Sequence, residues 1–109
     1  MSALKLPEPV AAYFATEIHD GRAVARCFTA NAVVRDEGHV YVGLAEIERW
    51  KADAATRYSY TSEPFRSKQE AGKIIVTSRL TGNFPGSPVD LRFFFGLEGG
   101  KIASLEIIP

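Results

Sequence analysis

Hydrophobic residues along this 109-residue chain change their spacing near Tyr58. Before that point they recur mainly at three and four, and beyond it they alternate with polar neighbours. Pro7 and Pro9 open a segment in which Val10, Tyr13, Phe14, Glu17 and Ile18 share one helical face, which predicts an amphipathic helix over 8–18 with Tyr13 turned toward the core. His19, Asp20 and Gly21 interrupt it, and Asp20 is placed to cap a second helix whose apolar positions are Val24, Cys27 and Phe28. The β-branched run over 32–37, the break at Gly38 and the extended pattern over 39–42 predict two short strands. From Leu44, the residues Ile47, Trp50, Ala54 and Tyr58 line one side of a third and longest helix. Glu46, Glu48, Arg49, Asp53 and Arg57 take the opposite side.

The alternating half divides into a strand around Thr61 and Phe65 and others over 73–84, 89–97 and 102–108. Ala71-Gly72, the segment over 84–88 and Glu98-Gly99-Gly100 separate them. Connections this short favour antiparallel hairpins. Helices first and sheet afterwards predict an α+β fold, and the length fits one compact domain over 1–109.

Charge removes several function classes. Lys plus Arg and Asp plus Glu are 13 each, so there is no basic field to hold a phosphate backbone, and nucleic-acid binding is not expected. No apolar run is long enough to span a bilayer, and the opening MSALKLPEP lacks a secretory h-region, so no membrane association and a cytoplasmic location are expected. Cys27 has no partner for an internal disulfide and falls on an apolar stripe, as a small buried hydrophobe would. His19 and His39 lack partners at metal-ligand spacing, and glycine-rich phosphate loops, nucleophile elbows and CxxC pairs are absent. No metal and no cofactor are expected. Zero net charge favours self-association.

The candidate chemistry starts at Asp36. It follows Ala32 and Val34 at spacing two, so the three share a strand face, and helices covering that face would leave an acid in apolar surroundings with a raised pKa. The alternative is a strand-end Asp hydrogen-bonded to the following turn. Asp90, Arg92 and Phe94 share one face of a later strand, with Val89, Leu91, Phe93 and Phe95 on the other. Asp90 and Arg92 are either a same-face ion pair or a donor and an anion anchor inside a pocket. Trp50, Tyr58 and Tyr60 would line a cavity under the third helix or simply fill a core, and Tyr13 on the first helix is either a core tyrosine or a catalytic acid.

The helix pair, FTANAVVRDEG, YVGLAEIERW and the four long strands ending in KIASLEI resemble, over nearly the whole chain, the nuclear transport factor two-like superfamily and its SnoaL-like branch. The resemblance implies a cystatin-like cone, in which a curved antiparallel sheet of about six strands wraps three helices around a deep apolar pocket. It also implies a homodimer through the outer face of the sheet. Within the superfamily, ketosteroid isomerase offers the nearest mechanistic likeness. Arg35-Asp36-Glu37-Gly38 resembles the strand end carrying its general base, Tyr13 of VAAYF stands where its oxyanion-hole tyrosine does, and Pro88-Val89-Asp90 resembles the context of its second, protonated acid. Arg92 is the alternative occupant of that last place, and its charge would oppose a protonated Asp90.

The expected function is binding of a hydrophobic small molecule, with cofactor-independent acid/base chemistry of the isomerase, cyclase or dehydratase type at a carbonyl. Asp36, Tyr13 and Asp90 are the expected catalytic set, and Arg92, Trp50, Phe14, Tyr60 and Phe94 the ligand-binding set. A non-catalytic ligand-binding or dimeric interaction module is the alternative from another class.

Overall fold

The computed structural model describes residues 4–16 and 21–109. Helix α1 (Glu8–Ala15) starts behind Pro7 with Glu8 in its first turn and buries Val10 and Tyr13. Pro is favoured there because its missing N–H is not needed, and the acid meets the positive end of the helix. Thr16 closes the helix, its hydroxyl donating to the Tyr13 carbonyl at 2.7 Å. The expected continuation through Glu17 and Ile18, and the break at His19 and Asp20 with its cap, lie outside the described residues. Helix α2 (Gly21–Ala25) is shorter than its apolar spacing suggests, because Phe28 already opens strand β1 (Phe28–Asp36). Val24 and Phe28 both reach the core, the former from the helix and the latter from the strand.

Strand β1 turns into β2 (His39–Val42) through Glu37 and Gly38, both at positive φ, as a two-residue primed turn requires. Gly43, at φ 87°, then redirects the chain into helix α3 (Leu44–Arg57), a backbone conformation that side-chain-bearing residues rarely adopt. Glu46 accepts the Val42 N–H at 2.8 Å and fastens the helix start to the end of β2. Strands β3 (Tyr60–Glu70), β4 (Lys73–Gly82), β5 (Val89–Glu98) and β6 (Lys101–Ile108) complete the chain.

The strands form one curved sheet in the order β2-β1-β6-β5-β4-β3, covered by the helices in a cone-like α+β arrangement. The hairpins β3–β4, β4–β5 and β5–β6 are antiparallel, as their short connections dictate. The pairing of β1 with β6 is parallel, an addition to the expected antiparallel sheet that its other pairings bear out. Hairpin signals constrain only strands adjacent in sequence, and these two are joined by no turn. Between sheet and helices lie Phe28, Val34, Ile47, Phe95, Ile102 and Leu105, all essentially excluded from water. Tyr13 sits edge-on to Phe14, Phe28 and Phe95 with ring centroids 5.1–6.1 Å apart, an arrangement aromatic quadrupoles favour.

Gly82 ends β4 where the chain crosses the start of β3, and a Cβ there would stand 2.3 Å from the Ser59 carbonyl oxygen and 2.6 Å from the Tyr60 Cβ. Backbone on one side and a ring-bearing residue on the other leave no room to yield. Gly82→Ala is therefore expected to destabilise the fold by about 1–3 kcal/mol, measured by urea unfolding.

Candidate functional site

Beyond the packed end of the core the sheet and helices diverge and enclose a cavity of about 500 Å³. The end of α1, the second half of α3, the start of β3, the first residues of β5 and the segment around Phe84 form its walls. The size suits a drug-like or smaller organic molecule.

Asp36 reaches this space because it is the last residue of β1 on the face it shares with buried Ala32 and Val34. The indole Nε1–H of Trp50 donates to its Oδ2 at 3.0 Å, so its side-chain bond runs to α3 and not to the following turn. Burial pushes the Asp36 carboxyl above its ordinary range, and Glu37 adds to the rise. The Trp50 hydrogen bond and the positive charges of Lys51 and His39 act against it. Tyr13, only 5% exposed, also lines the cavity, and its hydroxyl has no hydrogen-bond partner among the described residues. Burial foremost, then Tyr60 and Asp36, hold its pKa well above that of a free phenol. Tyr60 stands in the opposite wall and is raised by burial and by Asp36. Phe14 lies edge-on to Phe93 at 5.2 Å and closes the α1 side.

Thus Asp36, Tyr13, Phe14, Trp50 and Tyr60 share one cavity, whereas Asp90, Arg92 and Phe94 do not reach it. Strand alternation decides the matter: Val89, Leu91 and Phe93 of β5 line the cavity, so the residues between them point out through the far side of the sheet. Asp90 lies opposite Arg79 of β4 in register and accepts from its Nε at 2.9 Å and its Nη2 at 3.3 Å. That hydrogen bonding holds the exposed Asp90 carboxyl below the usual carboxylate range. Arg92 donates to the carbonyl of Pro109 at 3.0 Å and lies over the Phe94 ring. The expected placement of Asp90 with Tyr13 and Asp36 is corrected accordingly, as is the pocket placement of Arg92 and Phe94; Asp90 and Arg92 do share a strand face, but the ion pair of Asp90 is with Arg79 and not with Arg92.

Lys51 is the site residue that the sequence reading passed over. It is 8% exposed, lines the cavity, and carries its ammonium 4.9 Å from the centroid of the Trp50 ring and 5.2 Å from that of Tyr13. A usable signal was present: Lys51 follows Ile47 by four and Trp50 by one, so it falls inside the apolar stripe of α3. Burial lowers its pKa from 10.5 to about 8, against an opposing pull from the Asp36 charge. Among the described residues it makes no hydrogen bond or salt bridge, and no group of His, Cys, Asp and Glu is arranged to hold a metal.

A lysine whose folded pKa lies below its unfolded value binds fewer protons in the folded state over the interval between the two. Folding stability therefore rises with pH across that window and is lowest where the folded-state ammonium is fully charged. Relative to Lys51→Met, wild-type protein is expected to gain about 3 kcal/mol as the pH rises from 8 to 10.5. Paired urea titrations at several pH values read this difference directly, and a pH-independent difference would show that Lys51 is not held in a charge-disfavouring site.

Among solved structures, a candidate polyketide cyclase from Sinorhizobium meliloti is similar at 40% sequence identity, with 94% of this chain and 95% of that one covered and a TM-score of 0.88. A protein with a ketosteroid isomerase-like fold from Catenulispora acidiphila, solved with trimethylamine, is 18% identical over 96% of this chain and 87% of its own, with a TM-score of 0.83. A candidate SnoaL-like polyketide cyclase from Jannaschia is 20% identical over 93% and 82% respectively, with a TM-score of 0.74. The latter two show a shared fold. No family model and no curated protein matches the chain. The first likeness extends over almost the full length of both chains at an identity that marks common family, and the chain belongs to the SnoaL-like branch of the nuclear transport factor two-like superfamily.

Proposed function

We propose that the cavity binds an apolar small molecule with an enolisable carbonyl, and that Asp36 removes a proton from the carbon beside it without a cofactor. The observation that carries this reading is a carboxylate at the floor of an aromatic-walled cavity, fixed through one oxygen by Trp50. Oδ1 has no hydrogen bond among the described residues and is the oxygen available to take the proton. A carboxylate raised above its ordinary pKa is a stronger base, and its use in the ionised form makes the rate rise with pH through that raised pKa. The Tyr13 hydroxyl is the donor for the developing enolate oxygen, and Phe14, Trp50 and Tyr60 hold the apolar body of the ligand. The relative from Sinorhizobium meliloti, described as a candidate polyketide cyclase, supports carbonyl chemistry as the class.

On the far side of the sheet, Phe65 is 41% exposed, with Arg79 over its ring, and Arg92 lies over Phe94. An exposed aromatic face on a chain with no net charge fits a homodimer through the sheet, which completes the proposal. Sedimentation is expected to give a dimer for the wild type and a monomer for Phe65→Glu. A monomeric wild type would remove the dimer.

The proton-transfer role is tested with 2-tetralone, an apolar enolisable ketone, by following exchange of its hydrogens in deuterium oxide by NMR. Asp36→Asn is expected to slow protein-catalysed exchange by roughly 10²–10⁴-fold while leaving ketone affinity nearly unchanged. Equal rates in both proteins would sink Asp36 as the base. Binding without any exchange by the wild type would favour a non-catalytic ligand-binding module.

A further inference from the structure

Two buried residues that line the cavity carry donors that make no hydrogen bond among the described residues. One is the Tyr13 hydroxyl, buried and unpartnered. The other is the Lys51 ammonium, which has ring faces beside it but no anion within salt-bridge distance among the described residues. An unsatisfied buried donor is costly, and a native fold that keeps the Tyr13 hydroxyl unpartnered in a cavity that a lysine also lines is complementary to an acceptor it does not supply. The rings beside Lys51 favour a cation and leave its N–H groups free for an oxygen.

Building on the proposed proton transfer, we infer that Lys51 and Tyr13 form an oxyanion site, and that the cavity selects apolar molecules with an acidic hydroxyl, phenols and the enols of 1,3-dicarbonyls, and binds them as anions. Charge balance argues for this class. Of the charged residues that line the cavity, Lys51 and Asp36 are the two withdrawn from solvent, with neutral Tyr13 and Tyr60 facing them from α1 and β3, whereas Glu37, Asp53 and Arg57 are exposed. When the ligand gives its proton to Asp36, the ligand O–H or C–H bond breaks, a carboxylic O–H bond forms, and the electron pair stays on the ligand oxygen. The anion then meets the ammonium, and the buried charge is unchanged in sum. An isolated anion entering without this transfer would add a second negative charge beside Asp36, which burial disfavours. Lys51 is thus a specificity-determining residue: it distinguishes a ligand able to become an oxyanion from a neutral ligand of the same shape.

The test uses 4-nitrophenol, whose phenolate absorbs in the visible, and nitrobenzene, which lacks the hydroxyl. Wild-type protein is expected to bind 4-nitrophenol in the phenolate form at a pH where the free phenol is largely protonated, and to bind it more tightly than nitrobenzene. Lys51→Met should lose roughly 10- to 100-fold in affinity for 4-nitrophenol and lose the visible band of the bound ligand, with nitrobenzene affinity unchanged, the size expected for a charge-assisted hydrogen bond. Tyr13→Phe, which removes a hydroxyl the fold does not use, should give a smaller loss in the same direction. Retention of phenolate binding by Lys51→Met would overturn the inference, as would a wild type that binds both probes equally and as neutral molecules; in either case the proton-transfer role of Asp36 stands, because 2-tetralone tests it separately. Binding of neither probe would overturn the oxyanion site together with the ligand cavity on which it rests.

Discussion

The hydrogen bond from Trp50 to Asp36 joins α3 to the end of β1 at the boundary between packed core and open cavity. Much of the site depends on it. It fixes the rotation of α3 against the sheet, because the indole must lie in the plane that presents its N–H to the carboxylate. With the helix so rotated, the next residue, Lys51, is largely buried and lines the same space. The bond also offsets part of the burial cost of Asp36 while occupying only one of its oxygens. A stronger satisfaction of the carboxylate, by two or three donors, would have produced a stable acid of no use as a base.

Why such a costly set survives inside a small protein is a question of where the core places its apolar weight. Phe28, Ile47, Phe95 and Leu105 fill the end of the cone where β1, β5, β6 and α3 meet, and the opposite end is left unfilled. Stability comes from the filled end, and the open end carries groups that oppose folding, with Lys51 the clearest case. The arrangement matches the general expectation that functional sites retain strain and unmet polar groups which the rest of the fold must support.

Much of this fold was legible in the sequence. The strand ends at Val42 and Ile108 and the helix from Leu44 follow from alternation and from Gly43, and the first strand, expected over 32–37, ends one residue earlier at Asp36 and starts four residues earlier at Phe28. The parallel contact of β1 with β6 was not legible, since no local turn encodes it. Half of the site was legible by parity: Asp36 shares a face with Ala32 and Val34, and the face is inward. The same parity rule misled at β5, where both faces carry large apolar groups and nothing in the pattern says which one meets the helices. Phe94 with Asp90 and Arg92 looked as plausible as Phe93 with Val89 and Leu91. The deciding fact, Arg79 lying opposite Asp90 on the outer side, is a cross-strand register and becomes visible only when β4 and β5 are paired. Lys51 was hidden for a different reason. A lysine on an apolar stripe is normally assumed to extend its ammonium to water past its neighbours, and here the ammonium instead lies against the Trp50 and Tyr13 rings.

Exchanging an outward Asp90 for an inward Lys51 changes the logic of the site. In an arrangement built from a base, a tyrosine and a neutral second acid, the enolate is stabilised by hydrogen bonds alone, and the second acid has to be kept protonated by apolar surroundings. With a buried cation lining the cavity no such protonation is needed. Of the charged groups lining the cavity, the two withdrawn from solvent are one positive and one negative before the proposed proton transfer, and one of each remains after it, so only the position of the negative charge moves. Moving a charge over a short distance beside a fixed cation costs less than creating one in a desolvated space. The cost that remains is borne before any ligand arrives, in the burial of Lys51. In the proposed reaction the electrostatic work is done largely during folding, and the proposed ligand meets a site already arranged for its anion.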